Sequence, residues 1–140
     1  MNEIESLLPH RRPFLFVDEI VLADEKRTVA THVFTEEEFF FKGHFPGYPV
    51  VPGVILIEAM AQSGGAGLRK RGVLGDKDLF FLATVDKVKF RRQVRPGDEL
   101  RSEIENLRVS PNMIKQSGKA FVGDELAAEA EWMCLVGRES

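Results

Sequence analysis

Two side chains in the stretch from Gly43 to Gly67, GHFPGYPVVPGVILIEAMAQSGGAG, are of the types and in the setting that proton chemistry needs. His44 lies in a loop between Gly43 and Phe45-Pro46-Gly47, residues that hold the backbone in an unusual path. A histidine held there can act as a general base near neutral pH. Glu58 is the one acid in a segment, Val54 to Leu68, that is otherwise apolar nearly all round. An ionised carboxylate in such surroundings costs several kcal/mol unless it is paired or stays protonated. Burial should raise its pKa, which suits a proton donor. Gly53 and Val54, at the start of that segment, offer free N–H groups at a helix N-terminus, a site for a developing oxyanion. Base, acid and oxyanion donors together fit removal of a proton α to a carbonyl while a leaving group departs. The bland alternatives stay open on these residues alone: a structural loop histidine, and a buried acid tied up by backbone or by a partner's arginine.

The elements that must position these groups can be read outward from the same stretch. Three prolines and three glycines make Gly43 to Gly53 a loop. Pro52 disfavours helical geometry at Val51, and Gly53 is a tolerated N-cap. Arg69, Lys70 and Arg71 suit the negative end of a helix dipole, and Gly72 suits the position just past the end. A helix apolar on all sides is a buried one. Its second half, AQSGGAG, lacks bulk, as close approach of another backbone requires. A sheet wrapped tightly around the helix would supply that backbone.

The rest of the chain supplies the strands. Ile4 to Leu8 reads as a helical turn closed by Pro9, and Phe14 to Leu22 as a strand pairing with Arg27 to Phe34 across a turn at Asp24–Lys26. Phe39, Phe40 and Phe41 read as a core lid rather than a ligand cage. From Phe80 to Val94 the apolar phase slips near Asp86–Lys87, which predicts a bulge and a bent strand. Leu100 to Val109, Ile114 to Phe121 and a last strand from Leu126 to Val136 follow, separated by PGD, SPN and VGD turns. One long buried helix and several antiparallel strands make an α+β domain spanning 1–140.

Composition narrows the function. A net charge of −3 argues against a general nucleic-acid binder. MNEIESLLPH lacks the basic start and apolar run of a signal peptide. The longest apolar run, Val50 to Ile57, is broken by Pro52 and Gly53 and falls short of a membrane span. The single cysteine, Cys134, excludes an intrachain disulfide, alternates with Trp132 and Val136, and reads as core. A cytoplasmic protein fits all of this. His10 and His32 share no metal-ligand spacing with His44. The run Lys87, Lys89, Arg91, Arg92, Arg95 is either a solvated edge or positive charge for an acidic partner.

GHFPGYPVVPGVILIEAMAQ resembles the signature of the bacterial 3-hydroxyacyl-[acyl-carrier-protein] dehydratases of type II fatty acid synthesis, and LLPHRRPFLFVDEI and DKVKFRRQVRPGDEL agree. That resemblance implies the hot-dog fold, in which a curved antiparallel sheet wraps one long helix. It implies a hydro-lyase acting on a (3R)-3-hydroxyacyl thioester carried by acyl carrier protein. His44 and Glu58 would be the catalytic pair, contributed by different subunits of a dimer, with the Gly53 N–H on the thioester carbonyl. A glutamate on the helix is similar to the broad-range dehydratases; the related dehydratase–isomerases carry aspartate. The chain departs from the family at Thr84, where relatives commonly have glycine in a strand lining the acyl tunnel. The resemblance implies no cofactor and no metal, and a homodimer or a hexamer built as a trimer of dimers. Arg91 and Arg92 are the expected contacts for the acidic carrier protein. Two rival functions are a hot-dog acyl thioesterase, recognisable by thiol release, and a non-catalytic acyl-binding module.

Overall fold

Asn2 caps the first element, α1 (Glu3–Leu7), through a reciprocal pair of bonds with Glu5. The computed structural model describes residues 2–138; Met1, Glu139 and Ser140, included in the expected domain over 1–140, lie outside the described residues. A hairpin follows, β1 (Glu19–Ala23) and β2 (Arg27–Val33). Its turn is closed by the Asp24 carboxylate, which accepts the Lys26 and Arg27 N–H groups at 2.9 Å each. After the Gly/Pro loop comes α2 (Gly53–Lys70), then β3 (Asp78–Phe90), β4 (Glu99–Val109), β5 (Met113–Val122) and β6 (Glu125–Arg138). All strands join one antiparallel six-stranded sheet in the order β1-β2-β4-β5-β6-β3, and every strand touches α2. The sheet therefore wraps the helix, as the hot-dog arrangement requires.

The glycine-rich half of α2 makes this wrapping possible. A Cβ at Gly64 would collide with Gln116 of β5, one at Gly65 with the Phe80 ring of β3, and one at Gly67 with Thr28 of β2. Side chains of three strands, rather than the strand backbone that was expected, thus fill the space over these helix positions. The helix ends where expected: Gly72 has φ +78°, its N–H donates to the Arg69 carbonyl, and the Val73 N–H reaches Leu68, a Schellman motif. The start differs by one residue. Pro52 is the N-cap and Gly53 the first helical residue, because the Pro52 carbonyl already accepts the Ile55 and Leu56 N–H groups.

Two strand boundaries also differ from expectation. Phe14 to Val17 do not pair in the sheet: the Phe16 N–H donates to Gln62 Oε1 at 2.8 Å, and Gln62 Nε2 donates to the Phe14 carbonyl at 3.2 Å. A buried helix side chain satisfies that backbone, so the first bond to β2 comes from the Asp18 N–H, which donates to the Thr31 carbonyl at 2.7 Å, and β1 begins at Glu19. At the other place β3 stops at Phe90 rather than Val94, where the Arg91 and Arg92 N–H groups both turn to one β6 carbonyl, that of Ala127. The bulge expected near Asp86–Lys87 is present as a register shift between Asp86 and Lys89, with Lys87 at φ +53°, and a second shift lies between Leu82 and Thr84.

The core forms between α2 and the concave face of the sheet, around Phe16, Phe34, Met60, Leu68, Leu100, Ile104 and Trp132. Phe40 and Phe41 join it as a lid, while Phe39 stays exposed. β6 buries Ala128, Ala130, Trp132 and Cys134, the alternation that its sequence displays. β3 does not follow this rule. Every residue from Phe81 to Phe90 is exposed in the protomer, Leu82, Val85, Val88 and Phe90 included, although the strand forms one edge of the sheet.

Candidate active site

The loop before α2 holds His44 by its own backbone. The His44 carbonyl accepts the Val50 N–H at 2.9 Å, and the Val50 carbonyl in turn lies 2.8 Å from His44 Nδ1. A carbonyl can only accept, so Nδ1 carries a proton, and in the neutral ring the lone pair is on Nε2. The Phe45 ring stacks on the imidazole at 4.0 Å. The rest of the loop is tied to the segment after β3: the Val51 N–H donates to Val94, the Tyr48 hydroxyl to Gln93 Oε1, and the Arg95 guanidinium sits over the Tyr48 ring. His44 is half-buried, which leaves one edge of the ring accessible.

Glu58 projects from the second turn of α2 into different surroundings. Burial raises its pKa, and a hydrogen bond from Gln62 Nε2 at 2.9 Å pulls the other way without prevailing. Gln62, one helical turn on, is fully buried and held by the Phe14 and Phe16 backbone, so its amide orientation is fixed. His10 Nε2 lies 3.6 Å from Glu58 Oε2, with its ring 5.5 Å from Phe80. Burial, then the charges of Arg11 and Arg69, lower the His10 pKa, so this ring is a neutral neighbour and no counter-ion. Cys134 is buried nearby, its thiol pushed up to about 12 by burial and then by Glu58. Among the described residues the carboxyl group therefore has a donor and a neutral polar neighbour, and no cation paired with it.

Gly53 and Val54 open α2 as expected. The Phe90 ring of β3 packs so closely on Gly53 that a Cβ there would overlap it, and Val54 is exposed. No hydrogen bond or ion pair joins His44 to Glu58 among the described residues. Clefts of the protomer lie over Lys26, Glu103 and Lys119 and beside His32, and neither is lined by His44 or Glu58. Among the described residues no three His, Cys, Asp or Glu side chains cluster as metal ligands would. Nor is any helix there long and apolar enough to cross a membrane.

Arg91 and Arg92 fall just past the end of β3 and are engaged already. Arg91 Nε lies 3.2 Å from Glu129, and Arg92 reaches Asp98 and Glu125 at 3.7 Å each. Lys87 pairs with Glu131 at 3.3 Å. The neighbourhood is thus a mixed lattice of charge, less positive than its run of basic residues indicates.

Gln62 and His10 both lie in stretches that carry the family resemblance, yet the sequence does not single out either as a neighbour of Glu58. Gln62 leaves a faint signal, because a residue four positions after Glu58 shares its helix face. His10 leaves none; only the tertiary fold carries it to Glu58.

The match to known proteins covers nearly the whole chain. Residues 8–131 match the model of the FabA-like domain. The chain is 49% identical to 3-hydroxyacyl-[acyl-carrier-protein] dehydratase FabZ of Desulforamulus reducens, over 99% of this chain and 98% of that protein. It is 47% identical to the FabZ of Pelotomaculum thermopropionicum, over 97% of each. Among solved structures, the dehydratase heterocomplex ApeI:P of Xenorhabdus doucetiae shares the fold with a TM-score of 0.82 at 16% identity, over 99% of this chain and 93% of that one.

Proposed function

The chain belongs to the FabA-like family and, within it, to the 3-hydroxyacyl-[acyl-carrier-protein] dehydratases, the hydro-lyases of fatty acid biosynthesis, and on that premise we propose how its own residues divide the reaction. His44 Nε2 takes the C2 proton of the (3R)-3-hydroxyacyl thioester. The electron pair released becomes the C2–C3 double bond as the C3–O bond breaks. Glu58 protonates the departing hydroxyl, which leaves as water, and exchange with solvent returns the proton from His44 to Glu58. Negative charge gathering on the thioester oxygen is met by the N–H groups of Gly53 and Val54, worth about 3 kcal/mol for one well-placed donor.

The fixed tautomer of His44 is the observation that carries this reading. Its Nδ1 proton is committed to the Val50 carbonyl, so Nε2 is a base in the correct orientation before substrate arrives. Glu58 complements it, since burial favours the protonated form that a donor needs.

The working unit is a homodimer, or a trimer of such dimers, in which His44 of one protomer faces Glu58 of the other. Support comes from the lack of a hydrogen bond or ion pair between His44 and Glu58 among the described residues of one protomer and from the exposed apolar edge of β3, which must be covered somewhere. Joining two β3 edges would bring together the strands that pack on Gly53. The substrate arrives on acyl carrier protein, guided by Arg91 and Arg92, in the cytoplasm, and all of 1–140 acts as one domain.

Purified protein given a 3-hydroxyacyl pantetheine thioester should produce enoyl absorbance with one water lost and no free thiol. Thiol release from a saturated acyl thioester, without enoyl product, would overturn the assignment of roles.

A further inference from the structure

His32 of β2 is buried, and both of its ring nitrogens face carboxylates. Nδ1 lies 2.8 Å from Asp18 Oδ1, and Nε2 lies 3.2 Å from each oxygen of Glu38. A carboxylate offers no proton, so both nitrogens must donate, and only the imidazolium can do that. The two acids are themselves fixed: Asp18 Oδ2 accepts the Val33 N–H at 2.8 Å, and Glu38 Oε2 accepts the Thr35 N–H at 3.0 Å. Phe16 and Phe34 meet the ring edge-on at 5.9 and 4.6 Å. Arg12 and Glu37 line the same cleft, and the Arg12 charge bears on Asp18.

This cluster leads towards both groups of the proposed site. Beyond Glu38 the chain runs through two tight turns, Phe41 N–H to Glu38 carbonyl at 3.2 Å and His44 N–H to Phe40 carbonyl at 3.1 Å. Phe16, on the other flank, is bonded to Gln62, which donates to Glu58. We propose that His32 is a positioning residue for the dehydration: its imidazolium bridges Asp18 and Glu38 and so fixes the Thr35–His44 segment that presents His44. The proposal rests on the reading of His44 as the base.

Burial alone would lower the His32 pKa, but the bonds to Asp18 and Glu38 prevail and raise it to about 9. Being raised above its unfolded value, it stabilises the fold fully below the ordinary histidine range, and this contribution is lost as pH rises through about 9. Asp18 is pulled the other way; burial raises it, but the bonds from His32 and Val33 prevail and hold it below its ordinary range.

The test compares His32→Gln, His32→Lys, Glu38→Gln and His44→Ala by turnover of a small 3-hydroxyacyl pantetheine thioester across pH and by amide exchange. His32→Gln should lower kcat by about tenfold or more with KM nearly unchanged, as expected of a displaced base. Amides of Phe41 and His44 should exchange faster while those of β4 to β6 keep their protection. His32→Lys, which retains a cation with several donors, should recover most of kcat and carry it to higher pH than the parent. Parental kcat in His32→Gln overturns the proposal, as does faster exchange without loss of kcat, or a lysine variant as impaired as the glutamine one. If His32→Gln fails to fold, Glu38→Gln decides by the same readings. An active His44→Ala would sink the reading of the base, and this inference with it; an inactive His44→Ala beside a fully active His32→Gln sinks this inference alone.

Discussion

His44 and Glu58 are prepared by opposite physical means. His44 is oriented: a backbone carbonyl fixes its tautomer, a phenylalanine stacks on it, and part of the ring stays open. Glu58 is tuned: it lies on a buried helix where desolvation raises its pKa and no cation compensates. A base needs a lone pair aimed in one direction, which a hydrogen-bonded loop provides. An acid at neutral pH needs its charged form disfavoured, which only a low-dielectric wall provides. The two devices belong to different elements, loop and core helix, and no hydrogen bond or ion pair joins them among the described residues.

The strongest way to break the contrast is to remove each group. His44→Ala and Glu58→Gln should each lower turnover by about two to three orders of magnitude, since each deletes a general acid or base. Circular dichroism should find both folded. Mixing the two inactive variants under subunit exchange sharpens the point. If the site is shared across a two-fold axis, one intact site forms in each heterodimer, and roughly a quarter of the parental activity returns. A mixture that stays inactive would place both residues of a site in one protomer.

Next in size is the edge that would bring them together. Leu82→Glu with Val88→Glu sets like charges on the exposed edge of β3, which should be repelled at a strand-to-strand interface. Light scattering should report monomers, and turnover should fall with the dimer fraction. A fully active monomer would refute the shared site.

A smaller effect is expected at the docking surface proposed for the carrier protein. Arg91→Glu with Arg92→Glu should raise KM for carrier-bound substrate by roughly tenfold at low salt, with the difference shrinking as ionic strength rises. Turnover of a pantetheine thioester should stay near parental. Both arginines already pair with acids of their own chain, so equal losses on the two substrates would assign them to the fold.

The smallest effect is on stability. A raised acid pKa means that the folded state favours the protonated form, a contribution present below the ordinary glutamate range and lost as pH rises through the folded value. Glu58→Gln removes that loss while keeping an acceptor for Gln62. Its melting temperature should therefore match the parent at low pH and exceed it slightly at pH 7, with a gap that widens across that interval. A lower melting temperature at pH 7 would mean that the carboxylate is stabilised by a partner in the assembled protein.

Local chemistry made much of this legible in the amino-acid sequence. The Gly/Pro loop, the end of α2 at Gly72, the bulge near Asp86–Lys87 and the alternation of β6 follow from backbone freedom and periodicity, properties each residue carries with it. So do the types of the two proposed reacting side chains, and the small residues that let side chains of three strands reach the helix. Tertiary structure alone decided the rest. Phe14 to Val17 have the composition of a strand, yet Gln62, distant in the chain, takes the Phe14 carbonyl and the Phe16 N–H. His10 beside Glu58 is likewise a juxtaposition across a long stretch of chain. β3 is apolar on both faces, and no property of the strand itself says that its own protomer leaves it uncovered. Propensity and periodicity act over a few residues, whereas burial and pairing depend on which surfaces the whole fold brings into contact.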